Sequence, residues 1–138
     1  MNPNVRLALL QGLEAAFTLA DGESFERFLG VLEQVQPGRS TPSLRAHGAR
    51  SVARLALLRG EATGVDAGFG AAAEIFREVP SPYWLGVTLA EHGEWLVAQG
   101  RPDEAEPLFA EAREILEGLG AKPWLERLER SAASEVHA

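Results

Sequence analysis

The chain has 138 residues, 46% of them hydrophobic, and 20 acidic against 13 basic side chains give a formal net charge of −7. These values fit one globular domain and oppose broad binding to nucleic acid or to an anionic membrane. Cysteine is absent, which excludes disulfides, thiolate zinc sites and cysteine nucleophiles and fits a cytoplasmic protein.

Alanine, leucine and glutamate are abundant, while Val, Ile and Thr are sparse. That balance predicts an all-α protein. About seven helices are expected in chain order from the breakers and caps. The first runs from about Asn4 to Ala20, with Pro3 suited to a first turn. Its apolar run is broken by Gln11 and Glu14 and has no basic leader, so it does not read as a signal peptide. Asp21-Gly22 turns the chain, and a second helix extends from near Ser24 to about Val35. The longest polar break, residues 37–42, precedes a third helix capped by Thr41 or Ser43 and ending at Arg59-Gly60.

Residues 60–70 read as a loose, glycine-containing connection, followed by a fourth helix to about Val79. Pro80-Ser81-Pro82 stops it. Ser81 caps a fifth helix that reaches Gln99, and Gly100 ends it. Pro102 and Asp103 begin a sixth helix, ending at 118–120, and Pro123 opens a seventh that runs to about Ser134. No stretch of about 18 apolar residues is present to cross a membrane.

Much of the sequence repeats at an offset of 40 residues: Trp84 and Trp124, Glu74-Ile75-Phe76 and Glu114-Ile115-Leu116, Phe69 and Phe109, Ala72 and Ala112, Gly60 and Gly100. The first third echoes it through Leu29 and Phe69, Leu13 and Ala53, and Pro42 and Pro82. A period of this length marks stacked helix pairs whose units bury their apolar faces only against neighbours. The repeats fall at about 4–42, 43–82 and 83–120, with a closing helix near 122–135, in one domain spanning 1–138.

The third repeat resembles a tetratricopeptide repeat: Leu89, Gly93, Leu96, Gly100, Ala105, Phe109 and Ala112 stand at that family's large and small positions. Gly100-Arg101-Pro102-Asp103-Glu104-Ala105 resembles its turn. The period is longer than the family's usual length of about 34 residues. The second repeat departs in its turn, and the first keeps only Gly22 and Phe25 of the pattern. At greater length, the string from Trp84-Leu85 through Glu91-His92-Gly93-Glu94-Trp95-Leu96 to Ala121-Lys122-Pro123-Trp124-Leu125-Glu126-Arg127 resembles the carboxyl-terminal repeat region of bacterial multidomain adenylate/guanylate-cyclase-like proteins and related ATPase regulators, a likeness that covers roughly residues 5–130. The resemblance implies αα-hairpin repeats in a right-handed superhelical stack, acting as a sensor or scaffold arm of a longer signalling protein. It carries over no catalytic residue and no cofactor.

Three motifs weigh little. Gly68-Phe69-Gly70-Ala71-Ala72-Ala73 matches a dinucleotide fingerprint but has no strand before it. His92 lacks the second histidine that an HExxH zinc site needs. Carboxylate pairs such as Glu104/Glu111 and Glu91/Glu94 read as solvated helix faces. The chain therefore reads as a non-catalytic protein-binding module, with an effector-sensing repeat domain as the alternative.

The third helix is the best functional candidate. No acid lies between Glu33 and Glu61, yet Arg39, Arg45, Arg50, Arg54 and Arg59 do. His47, Arg50 and Arg54 fall within about 70° of each other on a helical wheel. The 40-residue step aligns this face with Glu14 and Glu94. The family resemblance makes it the concave groove, where arginines clamp an acidic peptide through bidentate bonds. The plainer reading, that these arginines pair with Glu14, Glu94 or neighbouring acids, is the stronger one. Trp84 and Trp124 are expected to be mainly buried, leaving Trp95 as the candidate partner anchor. Exposed ends of the stack would support homo-oligomers.

Overall fold

The computed structural model describes residues 42–79 and 81–136, together with Glu14 and Glu23. Five helices follow one another: α1 Pro42–Arg59, α2 Ala62–Glu78, α3 Pro82–Ala98, α4 Pro102–Leu119 and α5 Lys122–Val136. No strand occurs among the described residues. The first two expected helices lie outside those residues, apart from Glu14 in the first; Glu23, just before the expected start of the second, is also helical. The chain forms two compact units, residues 1–75 and 76–138.

Three helix ends share one construction. Gly60, Gly100 and Gly120 hold φ of 71°, 75° and 67°, a left-handed backbone that glycine enters without a Cβ penalty. The Gly60 amide donates to the Leu57 carbonyl at 3.3 Å and Glu61 to Ala56 at 2.9 Å. Gly100 donates to Val97 at 3.0 Å and Arg101 to Leu96 at 2.8 Å, the same pair of bonds 40 residues on. Gly120 and Ala121 repeat the pattern on Glu117 and Leu116. Each is a Schellman motif that satisfies carbonyls the helix leaves unpaired.

The expected loose connection at 60–70 is wrong. Helix α2 begins at Ala62 and runs through Gly64, Gly68 and Gly70. Glycine lowers helix propensity, but here two of the glycines are packing positions. A Cβ on Gly68 would lie 2.7 Å from Ala53 Cβ and 2.9 Å from the Ala53 backbone, and one on Gly64 would lie 3.0 Å from Ala56 Cβ. The two helices approach so closely that no side chain fits at Gly68. Ala46, Ala53, Ala56, Val65, Phe69, Ala72 and Ala73 are buried in this unit.

The second unit is built differently at its contact. A Cβ on Gly93 would meet the Phe109 ring at 2.6 Å, and one on Gly86 would meet Leu116 at 3.0 Å. Here α3 offers small residues and α4 inserts large ones. Leu85, Val87, Leu89, Ala90, Trp95, Leu96, Ala105, Phe109, Ala112 and Leu116 are buried. Full burial of one such large side chain is worth about 1.5–3 kcal/mol. Pro82 and Pro102 sit at the first helical position, where a missing N–H costs nothing. Ser81 occupies the N-cap position of α3, but its hydroxyl makes no capping bond, contrary to expectation.

Candidate functional site

The residues singled out on the third expected helix lie on α1. His47, Arg50 and Arg54 share one face and are all buried, the two arginines at 4% exposure. Their guanidinium groups converge on one carboxylate oxygen: Arg50 Nη1 donates to Glu14 Oε1 at 2.7 Å, and Arg54 Nη1 donates to the same atom at 2.6 Å. Arg50 and Arg54 are one turn apart, so both heads reach a single acceptor across the neighbouring element. Burial pushes the Glu14 carboxyl up, but the charges of Arg50 and Arg54 and their hydrogen bonds outweigh it and hold the group below its usual range. Charge-assisted bonds of this kind, here between two buried arginines and a carboxylate 41% exposed, fix geometry. The Glu14–Arg54 contact joins residues separated by the repeat period of 40.

Glu94 and Trp95 belong to the second unit. Arg127 of α5 forms a fork on Glu94, Nε to Oε2 at 2.7 Å and Nη2 to Oε1 at 2.6 Å. Ser131 Oγ donates to Glu94 Oε2 at 3.2 Å. The Arg127 guanidinium also lies 4.4 Å from the centre of the Trp124 ring, within the range of cation–π attraction. The Trp124 indole N–H donates to the Tyr83 hydroxyl at 3.2 Å. Trp124 and Trp84 have most of their surface covered and an edge left exposed. Each carries a polar or edge contact that keeps part of its ring at the surface: Trp124 through Tyr83, and Trp84 edge-on to the Tyr83 ring at 5.2 Å.

Trp95 is buried. Its ring lies 6.1 Å from that of His92 and 5.6 Å from the Arg101 guanidinium. Arg101 in turn forks onto Glu104, at 2.5 and 2.8 Å. Those hydrogen bonds hold the Glu104 carboxyl below its usual range. Arg77 pairs with Glu111 through its two terminal guanidinium nitrogens, Nη1 and Nη2.

The structure thus brings Glu14, Arg50 and Arg54 together with His47 on the same helix face. It gives Glu94 a different pair of partners: Arg127, itself stacked over Trp124, and Ser131. Reading the sequence missed that second set. The signal available was the repeat of Trp84 at Trp124 and the arginine three residues after it. The arrangement offers carboxylates and guanidinium groups in fixed forks, and this chemistry holds elements in register. Among the described residues, no cluster of three or more His, Asp or Glu is placed to hold a metal ion, and no helix is long and apolar enough to cross a membrane.

No protein-family model matches the chain, and neither a curated protein nor a solved structure matches it. Over the described residues the fold is all-helical.

Proposed function

We propose that this chain is a non-catalytic helical-repeat module of the tetratricopeptide-like kind, holding a protein or peptide partner as a regulatory or scaffold arm of a larger bacterial signalling protein. The observation that carries the reading is the identity of the turns at Gly60 and Gly100: equivalent residues 40 apart make the same two backbone bonds with nearly the same φ. Repeated hairpins of this sort build extended binding surfaces from nearest-neighbour contacts. Phe69 and Phe109, also 40 apart, are both buried, which supports the same register. The right-handed superhelical arrangement of three hairpins and a closing helix belongs to this proposal.

The buried arginines enter it as register pins. With Arg50 and Arg54 at 4% exposure and shared by Glu14, they set how one repeat meets the next.

The test is capture followed by titration. Immobilised full chain is exposed to bacterial lysate, and any retained protein is purified and titrated calorimetrically against the free chain. In parallel, thermal shifts are recorded with a metabolite mixture. A stoichiometric protein partner supports the module. Retention of no protein, combined with a thermal shift from a small molecule, sinks it in favour of effector sensing.

A further inference from the structure

The last helix is attached differently from the others. Among its described side chains, only Leu128 is fully buried, at 1% exposure. Trp124, Leu125 and Arg127 are half-buried, and Pro123, Glu126, Glu129 and Arg130 are exposed. By contrast α3 buries ten residues in succession or near succession. The attachments described above are polar and reach α3: Arg127 and Ser131 on Glu94, and Trp124 on Tyr83. Every one of these partners on α3 is at least part-exposed, so water can replace the bonds one at a time.

The connection to α5 is short and carries glycines at 118 and 120, and it is closed by the same two backbone bonds as the other turns. Gly118 and Gly120 flank Leu119, which is 48% exposed, and Gly120 holds the left-handed φ. A Cβ at either glycine would meet nothing. A hinge needs residues that absorb large backbone changes without collision, and this segment supplies them. The contacts that hold α5 are also indifferent to chain connectivity. Any helix presenting Trp, Arg and Ser at the spacing of Trp124, Arg127 and Ser131 satisfies Tyr83 and Glu94, and a leucine at the Leu128 position supplies the one fully buried side chain. The one helix certain to be present with that spacing is α5 of another copy.

We propose that α5 is an exchangeable arm: it detaches at the Gly118–Ala121 hinge, and the α3 surface carrying Tyr83 and Glu94 accepts the α5 of a second copy. Exchange of an identical element between protomers is a low-cost route to association, because the contacts made are those already present in one chain. It stands independently of the repeat-module reading.

The experiment uses the full chain and a fluorescent peptide of residues 121–136, followed by anisotropy. In the unaltered chain its own α5 occupies the surface, so the apparent affinity is reduced by the small fraction of open molecules. Arg127→Ala weakens the internal helix and leaves Glu94 in place. The peptide, which retains its arginine, is expected to bind that variant about tenfold more tightly. Adding Glu94→Gln to the variant is expected to abolish the gain. Equal binding by the unaltered chain and Arg127→Ala, or a gain that survives Glu94→Gln, overturns the proposal. Hydrogen exchange on the unaltered chain needs no variant: amides of 124–131 should exchange through openings that leave 85–96 and 105–116 protected. Simultaneous loss of protection in all three segments overturns it equally.

Discussion

Replacing Gly93 with alanine sets two effects of opposite sign against each other. In a helix interior, glycine to alanine is favourable by about 1 kcal/mol through backbone entropy. At Gly93 the new methyl would sit 2.6 Å from Phe109 Cε1, 2.9 Å from Cδ1 and 3.0 Å from Cζ. Carbon atoms prefer about 3.5–4.0 Å, so the ring must retreat by roughly 1 Å. Phe109 is buried and cannot simply swing into solvent. Overpacking of this kind costs about 1–3 kcal/mol, and with α3 and α4 pressed together the upper half of that range applies. The net expectation for Gly93→Ala is a loss of about 1–2 kcal/mol. Gly118 is the control: it is helical, a Cβ there meets nothing within 4 Å, and Gly118→Ala should gain about 0.5 kcal/mol. Urea denaturation followed by circular dichroism measures both. Phe109→Leu removes the obstructing ring edge and should shrink the penalty of Gly93→Ala in a double-mutant cycle. If Gly93→Ala is as stabilising as Gly118→Ala, the close approach is not a feature of the molecule in solution.

Glu14→Gln removes the charge shared by Arg50 and Arg54; since the Glu14 side chain is 41% exposed, the loss at pH 7 is discounted to about 1–2 kcal/mol. The Glu14 carboxyl is held below 4.5 in the folded state, so its contribution is complete above 4.5 and is lost as pH falls through the lower folded value. Urea midpoints measured at pH 7 and pH 3 should show a smaller acid-induced drop for the variant, and identical drops would refute the ion-pair account. Thr88 is wholly buried, and its hydroxyl has no hydrogen-bond partner among the described residues, so Thr88→Val should stabilise the chain by about 1 kcal/mol in thermal melts; a lower melting temperature would show that the hydroxyl is satisfied. Gly60→Ala and Gly100→Ala should each cost about 1 kcal/mol by forcing a Cβ into the left-handed region; a large difference between them in urea titrations would break the equivalence of the two turns.

The helix ends were legible because their chemistry is local. Gly60, Gly100 and Gly120 announce a left-handed cap, and Pro82 and Pro102 announce a first turn, whatever surrounds them. The start of α2 was not legible for the opposite reason. Gly64, Gly68 and Gly70 look like breakers until the Ala53 and Ala56 surface opposite two of them is known, and the packing partner decides the matter. Ser81 shows the same limit: its position in the chain was readable, whereas the orientation of its hydroxyl was not. At the candidate site, the 40-residue step aligned Glu14 with Arg54, and those two residues touch. Glu94 stood in the same alignment, yet its partner is Arg127, 33 residues away. Side chains as long as arginine choose acceptors by reach and exposure, which a repeat register does not encode.

The tight reversals after Arg59, Ala98 and Leu119 have a kinetic consequence. Each sharp bend lets two neighbouring rods meet while the intervening chain is almost nothing, so little loop entropy is lost in closing them. Topologies rich in such near-neighbour encounters collapse into their native form in microseconds to milliseconds. Any of these bends can seed the process, and a newly made polypeptide can begin to consolidate before its far end has been synthesised.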